Sequence, residues 1–158
     1  ANIYQDSPEW LAQNMRSTRN FIRKWGHFVK HNALMKPIVP PKYDVGIHIE
    51  NTTGQLLEVL EPWCTSMYTD INFQSYVHME QPNTSINILN KMYGIEDDVT
   101  NDVIVYIDGN SFTNDDMYCI QELSSIIADN GDVGEFELGN LRIVIKDMRT
   151  YEQELIKL

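Results

Sequence analysis

The chain has 158 residues, of which 42% are hydrophobic and 22% charged, and it carries a net charge of −11. A chain of this length can bury a core without disulfides or a metal, and its acidic charge disfavours nucleic acid as a partner. It has no apolar run of membrane-spanning length and no leader-like start, which predicts a protein without a membrane span, in the cytoplasm or within a viral assembly and not secreted.

The charge is divided unevenly along the chain. The first 42 residues hold seven basic and two acidic residues, a net charge of +5, whereas residues 43–158 hold five basic and 21 acidic residues, a net charge of −16. A stiff proline-containing stretch from Met35 to Lys42 lies at the boundary. We therefore predict a basic helical arm with a proline-rich linker over residues 1–42 and an acidic α/β domain over residues 43–158.

The arm begins with a strong helix signal. Ser7 is a typical N-cap, Pro8 suits the first helical position, and Glu9 suits the positive end of the helix dipole. Apolar residues then recur at steps of three and four, which predicts an amphipathic helix to about Lys30, with Gly26 as a point where it could break. We expect its apolar side to pack on the acidic domain and its basic side to face outward.

The acidic domain begins with alternating strand and helix patterns. Apolar residues alternate with polar or small ones from Tyr43 to Glu50, which predicts a strand, and the segment from Asn51 to Gly54 has the composition of a turn and helix cap. A short helix is expected from Gln55 to Leu60, and a second strand from Ser66 to Ile71. This half of the domain is therefore predicted to be a strand, helix and strand with a short crossover.

The clearest pattern in the domain is a strand followed by a helix and a hairpin. Val103–Ile107 is a run of β-branched and aromatic residues, which favours a buried strand. Thr113 and Asp116 have the spacing of a capping box, and apolar residues follow at helical spacing as far as Asp129. The dipeptide Gly139-Asn140 separates two further strand patterns and predicts a tight hairpin turn.

Two segments have weaker signals. Residues 73–101 predict a broken helix that includes Met92 and Tyr93 and is interrupted by Pro82. Tyr151–Leu158 is expected to be a short helix. The whole pattern predicts the α/β class, with α+β as the alternative, as a two-layer sandwich of a mixed sheet with helices, preceded by a long amphipathic N-terminal helix.

Few residues suggest chemistry. His27 and His31 are four positions apart, but zinc needs three or four protein ligands, so we interpret them as two histidines on a helix surface. Asp108 ends the central strand, where α/β proteins often place functional groups. The following Gly109 favours a turn instead, and a hydrolase using Asp108 is the weakest functional hypothesis. We predict no catalytic residue, no metal site and no cofactor.

One segment points to a family. The stretch from Asn20 to Gly26, which ends in Lys24-Trp25-Gly26, resembles a pattern near the C-terminal end of many glycosyltransferases with a GT-A-type nucleotide-sugar domain. Residues 40–64 are also similar to tail sequences of such enzymes, including viral ones. The resemblance implies that the chain is the C-terminal part of a glycosyltransferase, or descends from one. The metal-binding aspartates and the catalytic base of that family would then lie upstream of Ala1.

Two functional hypotheses follow. In the first, the chain is a non-catalytic accessory or C-terminal module of a glycosyltransferase, and sugar transfer would require an upstream catalytic domain. In the second, it is a stand-alone assembly module, such as a viral structural or adaptor subunit, whose basic arm docks on the acidic body of another copy. Both hypotheses use the same predicted contact residues for a protein partner or a second copy, namely Arg16, Arg19, Arg23, Lys24, Trp25 and Lys30.

Overall fold

This computed structural model describes residues 7–151 of the chain. Its α-helices are α1 (Pro8–Trp25), α2 (Gly54–Leu60), α3 (Gln74–Glu80), α4 (Asn114–Gln121) and α5 (Leu123–Asn130). Its strands are β1 (Lys30–His31), β2 (Pro37–Ile38), β3 (Lys42–Tyr43), β4 (Val45–Glu50), β5 (Ser66–Thr69), β6 (Met92–Gly94), β7 (Val103–Asp108), β8 (Gly134–Leu138), β9 (Leu141–Ile145) and β10 (Thr150–Tyr151). Short 3-10 helices lie at Glu61–Trp63, Gln81–Asn83 and Ile88–Lys91.

Six strands form one mixed sheet in the order β6-β5-β4-β7-β9-β8. Strands β6, β5, β4 and β7 run parallel, and β9 runs antiparallel to both of its neighbours. The pairs β1–β2 and β3–β10 are separate two-stranded antiparallel ladders. The predicted α/β class is confirmed, and so is the strand, helix and strand unit, which is β4, α2 and β5.

The helices pack on one face of this sheet. Side chains alternate between the two faces of a strand, so Ile47, Val105 and Ile143, which are paired across β4, β7 and β9, lie on the same face. All three have 0% exposure and belong to one core cluster with Leu57 of α2 and Ile127 of α5. Burial of each large apolar side chain stabilises the fold by about 1.5 to 3 kcal/mol. The predicted two-layer sandwich is therefore confirmed.

The local cap and turn predictions are confirmed. The Ser7 side chain accepts a hydrogen bond from the backbone N–H of Trp10 at 3.1 Å and caps α1. Thr113 and Asp116 form a reciprocal capping box at the start of α4. Gly139 has a φ of 62° in the turn between β8 and β9, a conformation that glycine adopts without strain. These features depend on contacts between near neighbours, which the sequence specifies directly.

Two helix predictions need correction. Helix α1 ends at Trp25 and not near Lys30, because Gly26 adopts the left-handed conformation (φ 80°) and its N–H donates to the Ile22 carbonyl. The single helix predicted from Thr113 to Asp129 is two helices, α4 and α5, which separate at Glu122 (φ −100°, ψ 5°).

Two further segments differ from their predictions. Met92 and Tyr93 belong to strand β6 and not to a broken helix, because Met92 pairs with Met67 of β5 at the sheet edge and this pairing outweighs the local pattern. Tyr151 pairs with Lys42 in the β3–β10 ladder and not in a helix. The rest of the predicted C-terminal helix lies outside the described residues.

Candidate interaction surface

Helix α1 is attached to the domain by its arginines. Arg23 donates from Nη2 to Glu61 Oε1 at 2.5 Å and to Glu80 Oε2 at 2.9 Å, and from Nε to Glu61 Oε2 at 3.1 Å. Arg19 donates from Nε to Glu80 Oε2 at 2.7 Å and from Nη1 to the Glu58 carbonyl at 2.8 Å. Arg23 is 5% exposed and Glu61 is 0% exposed, so this ion pair lies in the interior.

Two more side chains complete this arginine–glutamate cluster. Lys91 donates from Nζ to Glu61 Oε2 and to the Glu61 carbonyl, both at 2.8 Å, and Tyr76 donates from its hydroxyl to Glu61 Oε1 at 2.8 Å. Burial alone would raise the pKa of Glu61, but Lys91 and Arg23 lower it to about 2. Each buried charge thus has a charged partner, as a buried ion pair requires.

The end of α1 is held by a second basic residue. Lys42, in β3, donates from Nζ to the carbonyls of Arg23 at 2.9 Å and Lys24 at 3.1 Å. These are carbonyls of the last turn of the helix, where a positive charge is favourable. Asn20 adds a third contact by donating from Nδ2 to the Asn83 carbonyl at 2.9 Å.

The structure divides the six predicted contact residues into two groups. Arg19 and Arg23 belong to the arginine–glutamate cluster, and Lys30 pairs with Glu122 at 2.7 Å between Nζ and Oε2. The others, Arg16, Lys24 and Trp25, lie at the surface of α1, where Lys24 Nζ stands 5.1 Å from the centroid of the Trp25 ring. Three of the six side chains are therefore engaged by the chain's own carboxylates.

Exposed apolar side chains are concentrated in the same N-terminal part of the chain. Of the fifteen large apolar residues that are exposed among residues 7–151, eight fall within residues 11–39. Seven of these eight, which we call the N-terminal apolar surface, are Leu11, Met15, Val29, Leu34, Met35, Ile38 and Val39. The eighth, Phe28, packs its ring edge-on against Trp63 at 4.9 Å between centroids. The predicted packing of the apolar side of α1 holds at Ile22, which is 4% exposed, and fails at Leu11 and Met15, which are 51% and 61% exposed.

A short hairpin that the sequence pattern does not predict carries several of these side chains. Strands β1 and β2 pair antiparallel, and the side chain of Asn32 accepts hydrogen bonds from the backbone N–H groups of Leu34 at 2.8 Å and Lys36 at 3.0 Å. Met35 has a φ of 61° in this turn and is 74% exposed. An asparagine that accepts from the backbone two residues later is a known turn signal, and Asn32 was the residue that could have revealed the hairpin.

The two histidines are not a pair on a helix. His27 and His31 both lie beyond the end of α1, and His27 is 2% exposed with its ring edge-on to Phe21. The prediction of two helix-surface histidines is wrong because Gly26 stops the helix. Within residues 7–151, no group of three histidine, cysteine, aspartate or glutamate side chains is placed to hold a metal ion.

Asp108 acts in a turn. Its Oδ1 accepts hydrogen bonds from Asn51 Nδ2 and from the backbone N–H of Asn110, both at 2.9 Å. These bonds lower the pKa of Asp108 below its ordinary value, although the group is fully exposed. Gly109 lies so close to the Asn51 carbonyl that a side chain there would collide with it. The preferred interpretation, that Asp108-Gly109 makes a turn, agrees with these contacts.

Comparison of the chain with protein-family models, with characterised proteins and with solved structures finds no match. In the part of the chain from residue 7 to residue 151, no helix has the length and apolar character needed to cross a membrane.

Proposed function

We propose that the chain is a non-catalytic accessory or C-terminal module of a glycosyltransferase, joined through its N-terminal apolar surface to a catalytic domain or a partner protein. The observation that carries the joining role is the concentration of exposed apolar side chains within residues 11–39. Four of these side chains, Leu34, Met35, Ile38 and Val39, lie in or next to the β1–β2 hairpin, and exposed apolar side chains that lie together mark contact sites for other proteins. The exposed cations Arg16 and Lys24 add a polar fringe of the kind that surrounds protein interfaces.

The glycosyltransferase part of the proposal is supported by the resemblance of the segment from Asn20 to Gly26. In this chain the segment holds α1 against the domain and ends the helix. Asn20 binds the domain, Arg23 enters the arginine–glutamate cluster, and Gly26 ends α1 so that the chain can turn into the β1–β2 hairpin. The segment therefore anchors the end of α1 from which the chain leads into the β1–β2 hairpin.

A second candidate, the stand-alone assembly module, is favoured by the same exposed side chains, because a second copy of the chain could cover them. The argument from charge, in which the basic arm docks on the acidic body of another copy, is weaker. Arg19, Arg23 and Lys30 are already paired with carboxylates of the same chain. Self-association would then depend on apolar contact more than on charge.

The coding sequence upstream of Ala1 tests the first proposal directly. An in-frame GT-A-type domain, or an adjacent transferase that co-purifies with the chain, is the expected result. A start codon immediately before Ala1 with no transferase nearby would contradict it.

Analytical ultracentrifugation of the full chain across a salt series tests the second candidate. Apolar self-association should persist at high salt, because salt screens charges and does not weaken apolar contact. It should also be lost when Leu34 and Met35 are both changed to serine, while the exposed control Val133→Ser leaves it unchanged. A chain that is monomeric at micromolar concentration in every salt condition excludes the assembly module.

A further inference from the structure

Strand β8 forms one edge of the six-stranded sheet. It is the last strand in the order β6-β5-β4-β7-β9-β8, and within residues 7–151 it pairs with β9 alone. The strand at the opposite edge, β6, has three residues, whereas β8 has five. An edge strand presents backbone N–H and C=O groups to which another extended chain can pair. Of the two edges of this sheet, β8 offers the longer template for a further strand.

The turn between β8 and β9 determines which backbone groups of β8 face outward. Leu138 and Leu141 flank the two-residue turn and are paired with each other. The residues that flank such a turn form a hydrogen-bonded pair, and bonded and non-bonded pairs then alternate along an antiparallel ladder. Glu137 and Glu135 are thus at non-bonded positions, and their N–H and C=O groups point away from β9. Neither has another backbone partner in the part of the chain that the structure describes.

A groove lies beside this edge, between the end of α5 and the start of β8, and has a volume of about 360 Å³. Its apolar lining comes from Ile126, Val133 and Phe136, and Val133 is 60% exposed. Phe136 packs on the core, so its side chain lies on the helix face of the sheet, and the side chains of Glu135 and Glu137 lie on the other face. A strand added to β8 would place every second side chain on the same face as this groove.

The edge is acidic. Residues 123–141, which include α5 and β8, contain four acidic residues and no basic residue. The four are Asp129, Asp132, Glu135 and Glu137, and all are exposed. Glu135 pairs with Arg142 at 2.8 Å between Oε1 and Nη1, while the other three form no ion pair with any residue from 7 to 151. The edge therefore attracts basic side chains.

The same charges disfavour a second copy of β8 as the added strand. Two β8 strands paired antiparallel would bring Glu135 and Glu137 of one copy opposite those of the other, and like charges directly opposite on a sheet are destabilising. Charges on an edge strand protect a sheet against pairing of this kind. Protection would need the charges alone, whereas the groove adds a place for the apolar side chains of an added strand. Opposite charges across the pair would stabilise it.

We propose that β8 and the groove beside it bind an extended segment of a partner protein in which basic and apolar residues alternate. The segment adds one strand to the sheet. Its basic side chains lie opposite Glu135 and Glu137, and its apolar side chains enter the groove beside Val133 and Phe136. In this mode of recognition, main-chain hydrogen bonds give affinity and contacts with alternate side chains give specificity. The inference does not depend on the joining role, because no residue of the N-terminal apolar surface lines the groove.

Nuclear magnetic resonance titration of the full chain with a short synthetic peptide of alternating lysine and valine tests this proposal. Saturable binding with a Kd below about 1 mM is expected. Amide hydrogen exchange at Glu135 and Glu137 should slow, because their N–H groups become hydrogen-bonded to the peptide. A matched peptide of alternating glutamate and valine should bind at least about tenfold more weakly, because its charges repel the edge.

Two N-methylated forms of the lysine–valine peptide separate backbone pairing from charge attraction. One is methylated on the lysine backbone nitrogens and the other on the valine backbone nitrogens, so the two have the same charge. In an antiparallel addition, the residues opposite Glu135 and Glu137 are lysines, and they exchange N–H···O bonds with the two glutamates. Methylation at lysine should therefore abolish binding, and methylation at valine should leave it nearly unchanged.

Variants of the chain test the same contact from the other side. Glu137→Pro removes an outward N–H and leaves the ladder with β9 intact, since that N–H is not bonded to β9. It should weaken binding by at least about tenfold, and Glu137→Gln, which removes only the charge, should weaken it by several-fold. Glu58→Gln, at an exposed position on α2 outside the groove, is the matched control and should leave binding unchanged.

Several results would overturn the proposal. These are the absence of binding to the lysine–valine peptide, equal or tighter binding of the glutamate–valine peptide, equal effects of the two N-methylated peptides, and unchanged binding by a folded Glu137→Pro variant. Self-association that Glu137→Pro abolishes would show that a second copy occupies the edge instead. If Glu137→Pro fails to fold, the N-methylated peptides decide the question. A failed titration leaves the joining role standing, since ultracentrifugation with Leu34 and Met35 changed and the upstream coding sequence test that role separately.

Discussion

The two halves of helix α1 have opposite environments. The second half packs on the domain through Arg19, Ile22 and Arg23, and Arg23 is 5% exposed. The first half carries Leu11 and Met15, which lie on the same side of the helix as Arg19, at steps of four, but are 51% and 61% exposed. A surface helix normally buries its apolar stripe and exposes its charges. In this chain the arginines are part of the fold, and the apolar residues are available to a partner.

The largest expected effect comes from removing a buried charge in the second half of α1. Arg23→Met would leave Glu61 buried with Lys91 and Tyr76 but without its bidentate partner, and breaking a buried pair in this way costs about 3 to 5 kcal/mol. Arg16→Met, on the same helix at an exposed position, should change the free energy of unfolding by less than about 0.5 kcal/mol. Urea denaturation followed by circular dichroism measures both. Equal costs for the two variants would remove the distinction between the two halves of the helix.

Acid should weaken the same attachment. The pKa of Glu61 is about 2 in the folded chain, below the ordinary value of 4.5. A lowered folded-state pKa means that the stabilisation is fully present above about pH 4.5 and is lost as the pH falls towards 2. The loss amounts to roughly 3 kcal/mol, because one pKa unit is about 1.4 kcal/mol.

Urea denaturation at several pH values between 2 and 6 measures this dependence. Glu61→Gln should flatten the pH profile in that window and lower the stability at pH 6. Glu58→Gln, at an exposed position in α2, should leave the profile unchanged. A wild-type profile that Glu61→Gln does not alter would show that the cluster does not respond to acid through Glu61.

A smaller effect should separate two ion pairs of different burial. The side chains of Arg19 and Glu80 are 17% and 8% exposed, whereas those of Arg142 and Glu135 are 46% and 57% exposed. Double-mutant cycles with methionine and glutamine should give a coupling of about 1 to 3 kcal/mol for the first pair and about 0 to 1 kcal/mol for the second. A coupling for Arg142 and Glu135 that matched the buried pair would contradict the role given to burial.

How much the sequence predicts depends on how far apart the interacting residues are. The capping box of Thr113 and Asp116 and the turn at Gly139 were predicted because each depends on residues three or fewer positions apart. The partners of Arg23 are 38 and 57 positions away, so the pattern of α1 alone indicated an outward basic side. The sequence pattern of the helix does not show whether an arginine pairs with a buried glutamate or faces water.

The same limit applies to the sheet face and the hairpin. Tyr93, Tyr68, His48, Tyr106 and Arg142 lie side by side only because strand register aligns one residue from each of five strands, and the sequence does not give the order of those strands. The sequence places Asp108 at the end of its strand but does not show that Asn51 is its hydrogen-bond partner. The sequence does not predict the β1–β2 hairpin, because the prolines of this stretch indicate an extended linker.

The smallest effect on stability is expected at the β1–β2 hairpin. Leu34 and Met35 are 77% and 74% exposed, so changing both to serine removes almost no buried apolar area and should alter the free energy of unfolding by less than about 0.5 kcal/mol. Leu57→Ser, in the core at 1% exposure, should cost at least about 2 kcal/mol in the same urea experiment. A double serine variant as unstable as Leu57→Ser would show that these side chains are packed within the chain. If it is instead as stable as wild type, these two side chains do not contribute to the fold, like the exposed Leu11 and Met15 in the first half of α1, and exposed apolar side chains of this kind are the ones that contact sites use.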